Sequence, residues 1–242
     1  MKLNKNDIVL FSGDSITHGN RGECMDCNHI FGHGYQYTVA SKLALDNCAE
    51  SPKFLNKAYS GYTMDTLLEK WQADVIDNKP TVLNILCGTN DCTQGYFKGY
   101  TPDETTERYK NNLIKAIHLT REVSPNLKVI LLEPFYFPLD EEDKSYDYTP
   151  HPNCEKYFNR PDRNDTAELV SYRLKAISLC QKAAKEVAEA ENAVFVPLND
   201  AFLEEMAKTR RTYFMWDGTH PTIAGHAIIA REWFKAVEGA NL

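Results

Sequence analysis

Five short apolar runs, at residues 7–12, 54–59, 81–87, 128–133 and 193–197, alternate with segments of helical spacing at 34–46, 63–77, 102–123, 167–191 and 223–238. No other property narrows the fold so far. The runs are nearly continuous and mostly rich in Val, Ile, Leu or Phe, as strands buried on both faces require. Strands and helices in alternation give right-handed crossovers and a parallel sheet covered on both sides. The expectation is therefore an α/β chain with a five-stranded parallel sheet in three α/β/α layers. The helix at 102–123 is sharply marked: Thr101 precedes Pro102 at its start, and Ser124-Pro125 follows its end. A chain of 242 residues fits one such domain, spanning 1–242.

Residues 135–165 break the rhythm with a run dense in Pro, Asp, Glu, Asn and Tyr. A loop insert of that length is a lid, a binding loop or an interface arm. The formal net charge is -7, with Lys and Arg scattered, so the chain lacks the basic face that nucleic acid needs. The apolar stretch Ile8 to Phe11 is shorter than a signal peptide's core, and no segment reaches membrane-spanning length. Seven cysteines, an odd number, imply no disulfide framework. Reduced thiols and a cytoplasmic location are expected.

In doubly wound sheets, ligands bind beyond the carboxyl ends of the strands. The positions just after the strands carry Gly13-Asp14-Ser15, Ser60-Gly61 and Gly88-Thr89-Asn90-Asp91, with Asp217-Gly218-Thr219-His220 near the C-terminus. Each group alone reads as a cap, a turn or a surface pair. Together they supply acyl-transfer chemistry. A serine hydroxyl needs an imidazole to accept its proton, and a carboxylate to orient that imidazole and steady its charged form. Ser15 is the candidate nucleophile, His220 the base and Asp217 the carboxylate, three residues before His220. The backbone N–H groups of Ser15 and Gly61 and the side-chain amide of Asn90 are candidate oxyanion donors. A helix starting at Ser15 favours negative charge there.

The four blocks resemble the SGNH, or GDSL-type, hydrolases: Gly13-Asp14-Ser15-Ile16, Asn56 through Gly61, Gly88 to Asp91, and Asp217 through Pro221. The resemblance spans nearly the whole chain. It implies a flavodoxin-like fold, a Ser15/Asp217/His220 triad, an oxyanion hole of Ser15, Gly61 and Asn90, and no metal or organic cofactor. Two departures stand out: Ile16 replaces the family's leucine, and Ala58 replaces a glycine early in the second block. Gly32-His33-Gly34-Tyr35, Pro134-Phe135-Tyr136 and the run from Trp216 to His226 look like the intracellular acetylxylan esterase branch. That branch implies an acetylated sugar or oligosaccharide as substrate and a homo-oligomer. Tyr62 and Trp216 are candidate sugar contacts, because sugar rings stack their C–H patches on aromatic faces.

Competing readings remain at this stage. A lipase, lysophospholipase or thioesterase has the same blocks, and a carbohydrate-binding protein without catalysis has the same fold. An α/β-hydrolase needs G-x-S-x-G, whereas Thr17 stands where its last glycine belongs. Cys24, Cys27, His29 and His33 are of zinc-ligating type but lack a second well-spaced pair, so free thiols and surface histidines are expected. Cys87 and Cys92 read as packing residues, His118 and His226 as structural. Asp200 is the rival carboxylate to Asp217. The aromatic side chains of the insert suit either sugar stacking or a subunit interface.

Overall fold

Five strands, β1 (Ile8–Gly13), β2 (Lys53–Asn56), β3 (Val82–Leu86), β4 (Lys128–Leu132) and β5 (Val194–Val196), pair in parallel in the order β2-β1-β3-β4-β5. This flavodoxin-like order reverses the winding between β1 and β3, which opens a crevice at their carboxyl ends. The structure is a computed structural model and describes residues 1–22, 29–140 and 165–240. The helices are α1 (Ser15–His18), α2 (Tyr35–Asp46), α3 (Met64–Glu69), α4 (Thr89–Phe97), α5 (Pro102–Val123), α6 (Ala167–Ala190), α7 (Asn199–Met206) and α8 (Ile223–Gly239).

Alternation along the strands divides the core into two layers. Val9, Phe11 and Ile130 pack with Tyr35 and Val39 of α2, Phe202 of α7 and Trp233 of α8. Leu10, Leu83 and Val129 face the other side, against Met64, Leu113 of α5 and Ile177 of α6. Buried indoles need partners for their N–H. Trp233 donates to Asn84 Oδ1 at 2.7 Å, and Trp71 donates to Thr120 Oγ1 at 3.0 Å. Asn84 thereby holds a place in a fully buried strand, because its own amide donates to Leu10 O.

The elements differ from the sequence expectation at points that matter for the site. The run at 54–59 leaves regular strand geometry after Asn56, yet Lys57 and Tyr59 still donate to Phe11 O and Gly13 O. The segment at 63–77 is not one helix. It begins with a capping box between Thr63 and Thr66, ends α3 at Glu69, and continues as a wide π turn over Gln72–Ile76. Helices α4 and α7 lie outside the expected segments, whereas α1 starts at Ser15 as expected. Among the buried positions of α4 are Thr89, Asp91 and Gly95, so no apolar stripe marked it. A Cβ on Gly95 would stand 2.1 Å from Thr105 Oγ1, a measure of how closely α4 lies on α5.

Most of the insert, 141–164, lies outside the described residues, as do Cys24 and Cys27. Its opening corrects one expectation. Phe135, Tyr136 and Phe137 are buried, and Phe135 and Phe137 stack on each other and against Phe202. These rings fill the core and do not face a sugar.

Candidate active site

β1 runs into Gly13, whose φ of +153° and whose neighbours both demand glycine: a Cβ there would lie 2.2 Å from Leu86 O. Asp14 follows in extended geometry and caps α1, accepting the Ile16 N–H at 3.0 Å. The cap is thus Asp14, and the Ser15 side chain is released from that duty. Ser15 Oγ lies 2.8 Å from His220 Nε2. His220 Nδ1 lies 2.9 Å from Asp217 Oδ2, and Asp217 Oδ1 accepts the backbone N–H groups of Thr219 and His220 at 3.0 and 2.9 Å.

The loop that carries this pair is folded on itself. Met215 bridges Pro221, Trp216 N–H donates to His220 O, and Phe137 N–H donates to Gly218 O at 2.8 Å. Gly218 has φ +81°, and a Cβ on it would stand 2.5 Å from Phe137 O. Burial acts against the Asp217 charge, but the His220 hydrogen bond and charge, with the backbone donors, prevail and hold the carboxyl well below the usual carboxylate range. An ionised Asp217 fixes the tautomer of His220, so that Nε2 can accept a proton from Ser15.

Tyr59 N–H donates to Gly13 O and Asp14 N–H to Leu86 O, which ties the segments after β2 and β3 to the Ser15 junction. Gly61 adopts φ +80°, with nothing within 4 Å of where a Cβ would stand. Asn90, near the start of α4, donates through Nδ2 to Tyr62 O at 3.1 Å. An amide nitrogen carries two hydrogens, so one donor remains for a ligand. Asp91 is buried and accepts the Met64 N–H at 3.1 Å. The loop bearing Gly61 is therefore pinned to α4 on both sides of Thr63. Tyr62 stacks on Tyr59 at 4.8 Å, and Tyr62 and Trp216 are both partly exposed.

The carboxyls next to Ser15 and Asn90 in sequence also respond to burial. Asp14 is raised to about 6, against the pull of the Ile16 N–H and the His220 charge. Asp91 is raised to about 7, against the Met64 N–H and the Cys87 thiol. His226 accepts the Tyr35 N–H at Nδ1, and burial lowers it to about 4, so it stays neutral and structural. Asp200 lies in α7 beside Asn199, whereas the carboxylate on His220 is Asp217. His118 is on exposed α5 surface with Glu191; Cys87 and Cys92 are buried. Among the described residues no group of three or more His, Cys, Asp or Glu is placed to hold a metal ion.

Sequence reading missed how several residues contribute. Buried Asn56 is a hub: its amide donates to Thr17 O and Phe31 O at 2.8 Å, and its Oδ1 accepts the Ala58 N–H. Arg173 of α6 donates to Thr219 Oγ1, beside the candidate pair. Asn56 carried a signal, since it opens the second block. Arg173, 46 positions from its partner, carried none.

A family model for GDSL-like lipases and acylhydrolases matches residues 11–228. The chain belongs to the GDSL-like lipase/acylhydrolase family. This GDSL-like chain is 28% identical to an acetylxylan esterase of Geobacillus stearothermophilus, over 98% of its own length and 96% of the relative's. The crystal structure of Axe2, an acetylxylan esterase from the same organism, superposes with a TM-score of 0.70 at 26% identity, covering 98% and 96% of the two chains. A GDSL-like lipase candidate of Parabacteroides merdae superposes with a TM-score of 0.78 at 29% identity, over 98% of each chain. The family and these relatives make the chain a carboxylic ester hydrolase. Among the described residues, no helix is long and apolar enough to cross a membrane.

Proposed function

We propose that this GDSL-like chain removes O-acetyl groups from a carbohydrate through an acyl-Ser15 intermediate. The observation that carries the reading is the continuous hydrogen-bonded chain from Ser15 Oγ through His220 to Asp217 at the carboxyl edge of the sheet. His220 Nε2 takes the Ser15 proton as Oγ attacks the acetyl carbonyl carbon. The resulting oxyanion is met by the backbone N–H groups of Ser15 and Gly61 and by the Asn90 amide. Collapse of the intermediate breaks the bond to the sugar oxygen, which leaves with the proton from His220. A water molecule then gives its proton to His220 and attacks the acetyl carbon. Acetate leaves, and Ser15 recovers its proton. Asp217 keeps its charge throughout and stabilises the imidazolium.

Crystal structures of Axe2 catalytic mutants, with a serine, an aspartate or a histidine replaced by alanine, support these roles for Ser15, Asp217 and His220. The acetylxylan esterase relatives support the acetylated carbohydrate. Tyr62 and Trp216 offer partly exposed aromatic faces on which the C–H patches of a sugar ring stack. No cofactor is needed for this chemistry. We further propose a single domain acting in the cytoplasm as a homo-oligomer. The free thiols Cys48, Cys87, Cys92 and Cys180 suit a reducing compartment, and exposed Leu45, Phe97 and Ile223 suit contact with other copies.

The test is release of acetate from a panel of acetylated xylo-oligosaccharides, with p-nitrophenyl esters of rising chain length run alongside. Acetate release from the sugars and fastest turnover of the two-carbon ester are expected. Preference for long acyl chains contradicts the acetyl reading, and sugar binding without turnover contradicts catalysis.

A further inference from the structure

Arg173 is a nearly fully buried guanidinium at 6% exposure, and a charge in such a place is costly unless it is paired and hydrogen-bonded. Its Nη1 donates to Asp165 Oδ2 at 2.7 Å, and its Nη2 donates to Thr219 Oγ1 at 2.8 Å. Its plane covers the Tyr136 ring at 3.6 Å from the centroid, and the Tyr136 hydroxyl donates to the same Asp165 oxygen at 3.0 Å. The guanidinium is therefore locked on one side by Asp165 and Tyr136. Its other arm fixes Thr219. Thr219 N–H in turn donates to Asp217 Oδ1, the carboxylate that orients His220.

We infer that Arg173, acting through the Thr219 hydroxyl, is a positioning residue that sets the Asp217–His220 pair against Ser15; the inference rests on the esterase reading above. The effect is geometric: Arg173 reaches Asp217 through a hydroxyl and a backbone N–H, two hydrogen bonds away, and the imidazole lies one further hydrogen bond on. A guanidinium suits the task because its fork addresses two acceptors in fixed directions, whereas an ammonium on a flexible stem does not hold both. Loss of the link lets the imidazole drift from Oγ, and small misplacements of reacting groups carry large rate penalties.

The test is steady-state turnover of p-nitrophenyl acetate by the full-length protein and its Thr219→Val, Thr219→Ser, Arg173→Lys and Arg173→Lys/Thr219→Val variants, with thermal melting of each. Thr219→Val removes only the acceptor of Arg173, and about a tenfold fall in kcat with KM within about twofold is expected. Thr219→Ser restores most of kcat. Arg173→Lys falls comparably, and the double variant falls no further than the lower single, as one shared path requires. If Arg173→Lys does not fold, the Thr219 pair decides alone. Unchanged kcat in Thr219→Val, losses that multiply in the double variant, or no recovery in Thr219→Ser overturns the inference while the esterase reading stands. An unmodified protein that is folded yet does not turn over the ester overturns both.

Discussion

Two strand-to-helix junctions stand side by side at the carboxyl edge of the sheet and are built on one plan. β1 ends in Gly13 at φ +153°, then Asp14 and Ser15; β3 leads to Gly88 at φ +134°, then Thr89, Asn90 and Asp91. Each has a glycine with a backbone that other residues rarely adopt, a candidate site side chain, and a carboxyl held uncharged-prone by burial. They differ in what the carboxyl binds. Asp14 turns inward to its own helix and accepts Ile16 N–H; Asp91 reaches across to Met64 N–H, 27 positions earlier. The serine is thus fixed by local geometry, whereas the Asn90 side is assembled from two distant segments.

The largest contrast is in catalysis. Ser15→Ala removes the proposed nucleophile and should lower kcat/KM for p-nitrophenyl acetate by about 10⁴-fold or more. Asn90→Ala removes one of the three proposed oxyanion donors and should cost about 10²- to 10³-fold. Equal losses would erase the distinction between nucleophile and donor.

A smaller contrast lies in the glycines. Gly13→Ala drives a Cβ into the Leu86 carbonyl, which cannot move without disturbing the sheet, and should destabilise by about 4 kcal/mol in urea unfolding. Gly88→Ala meets the Pro134 and Tyr109 side chains from 2.9 Å outward and should cost about 2 kcal/mol. The reverse order would show that the second junction is the stiffer one.

The smallest contrast is in pH dependence. A carboxyl raised by burial binds its proton more tightly when folded, so it stabilises the fold fully only below the ordinary carboxylate value, and that contribution is lost as pH rises through the folded value. The loss runs from about pH 4 to about 6 for Asp14 and to about 7 for Asp91. Lowered His226 acts oppositely, adding stability as pH rises from about 4 to 6.5. Asp91→Asn keeps an acceptor for Met64 N–H and should gain on the parent by about 4 kcal/mol between pH 4 and 8. Asp14→Asn should gain less, with its gain complete by about pH 6 to 7. Parallel stability profiles for both variants and the parent would contradict the burial argument.

The sheet was legible because its strands are short, nearly continuous apolar runs, such as the fully buried Val82–Leu86, interrupted only by Asn84. Helix α4 was not, since its buried face includes Thr89, Asp91 and Gly95, and a glycine chosen for close approach to α5 looks like a breaker in sequence. Asn90 was still found, through the block that contains it. Asp217 and His220 were legible as one tight turn because three positions suffice for a carboxylate to meet both Nδ1 and the backbone N–H groups. Arg173 was hidden, since a lone arginine in an amphipathic helix reads as solvated surface. The aromatic cluster at 135–137 was misread for a related reason: beside a polar insert, nothing local distinguishes core rings from exposed ones.

The central claim is that Ser15, made reactive by His220, is the nucleophile. Treatment of the folded protein with a fluorophosphonate at neutral pH, followed by peptide mass analysis, tests it directly. One adduct per chain on Ser15 is expected, with loss of ester turnover in step with labelling and no adduct in Ser15→Ala. Turnover that survives full Ser15 labelling, or an adduct on another residue that tracks the loss of activity, would contradict it.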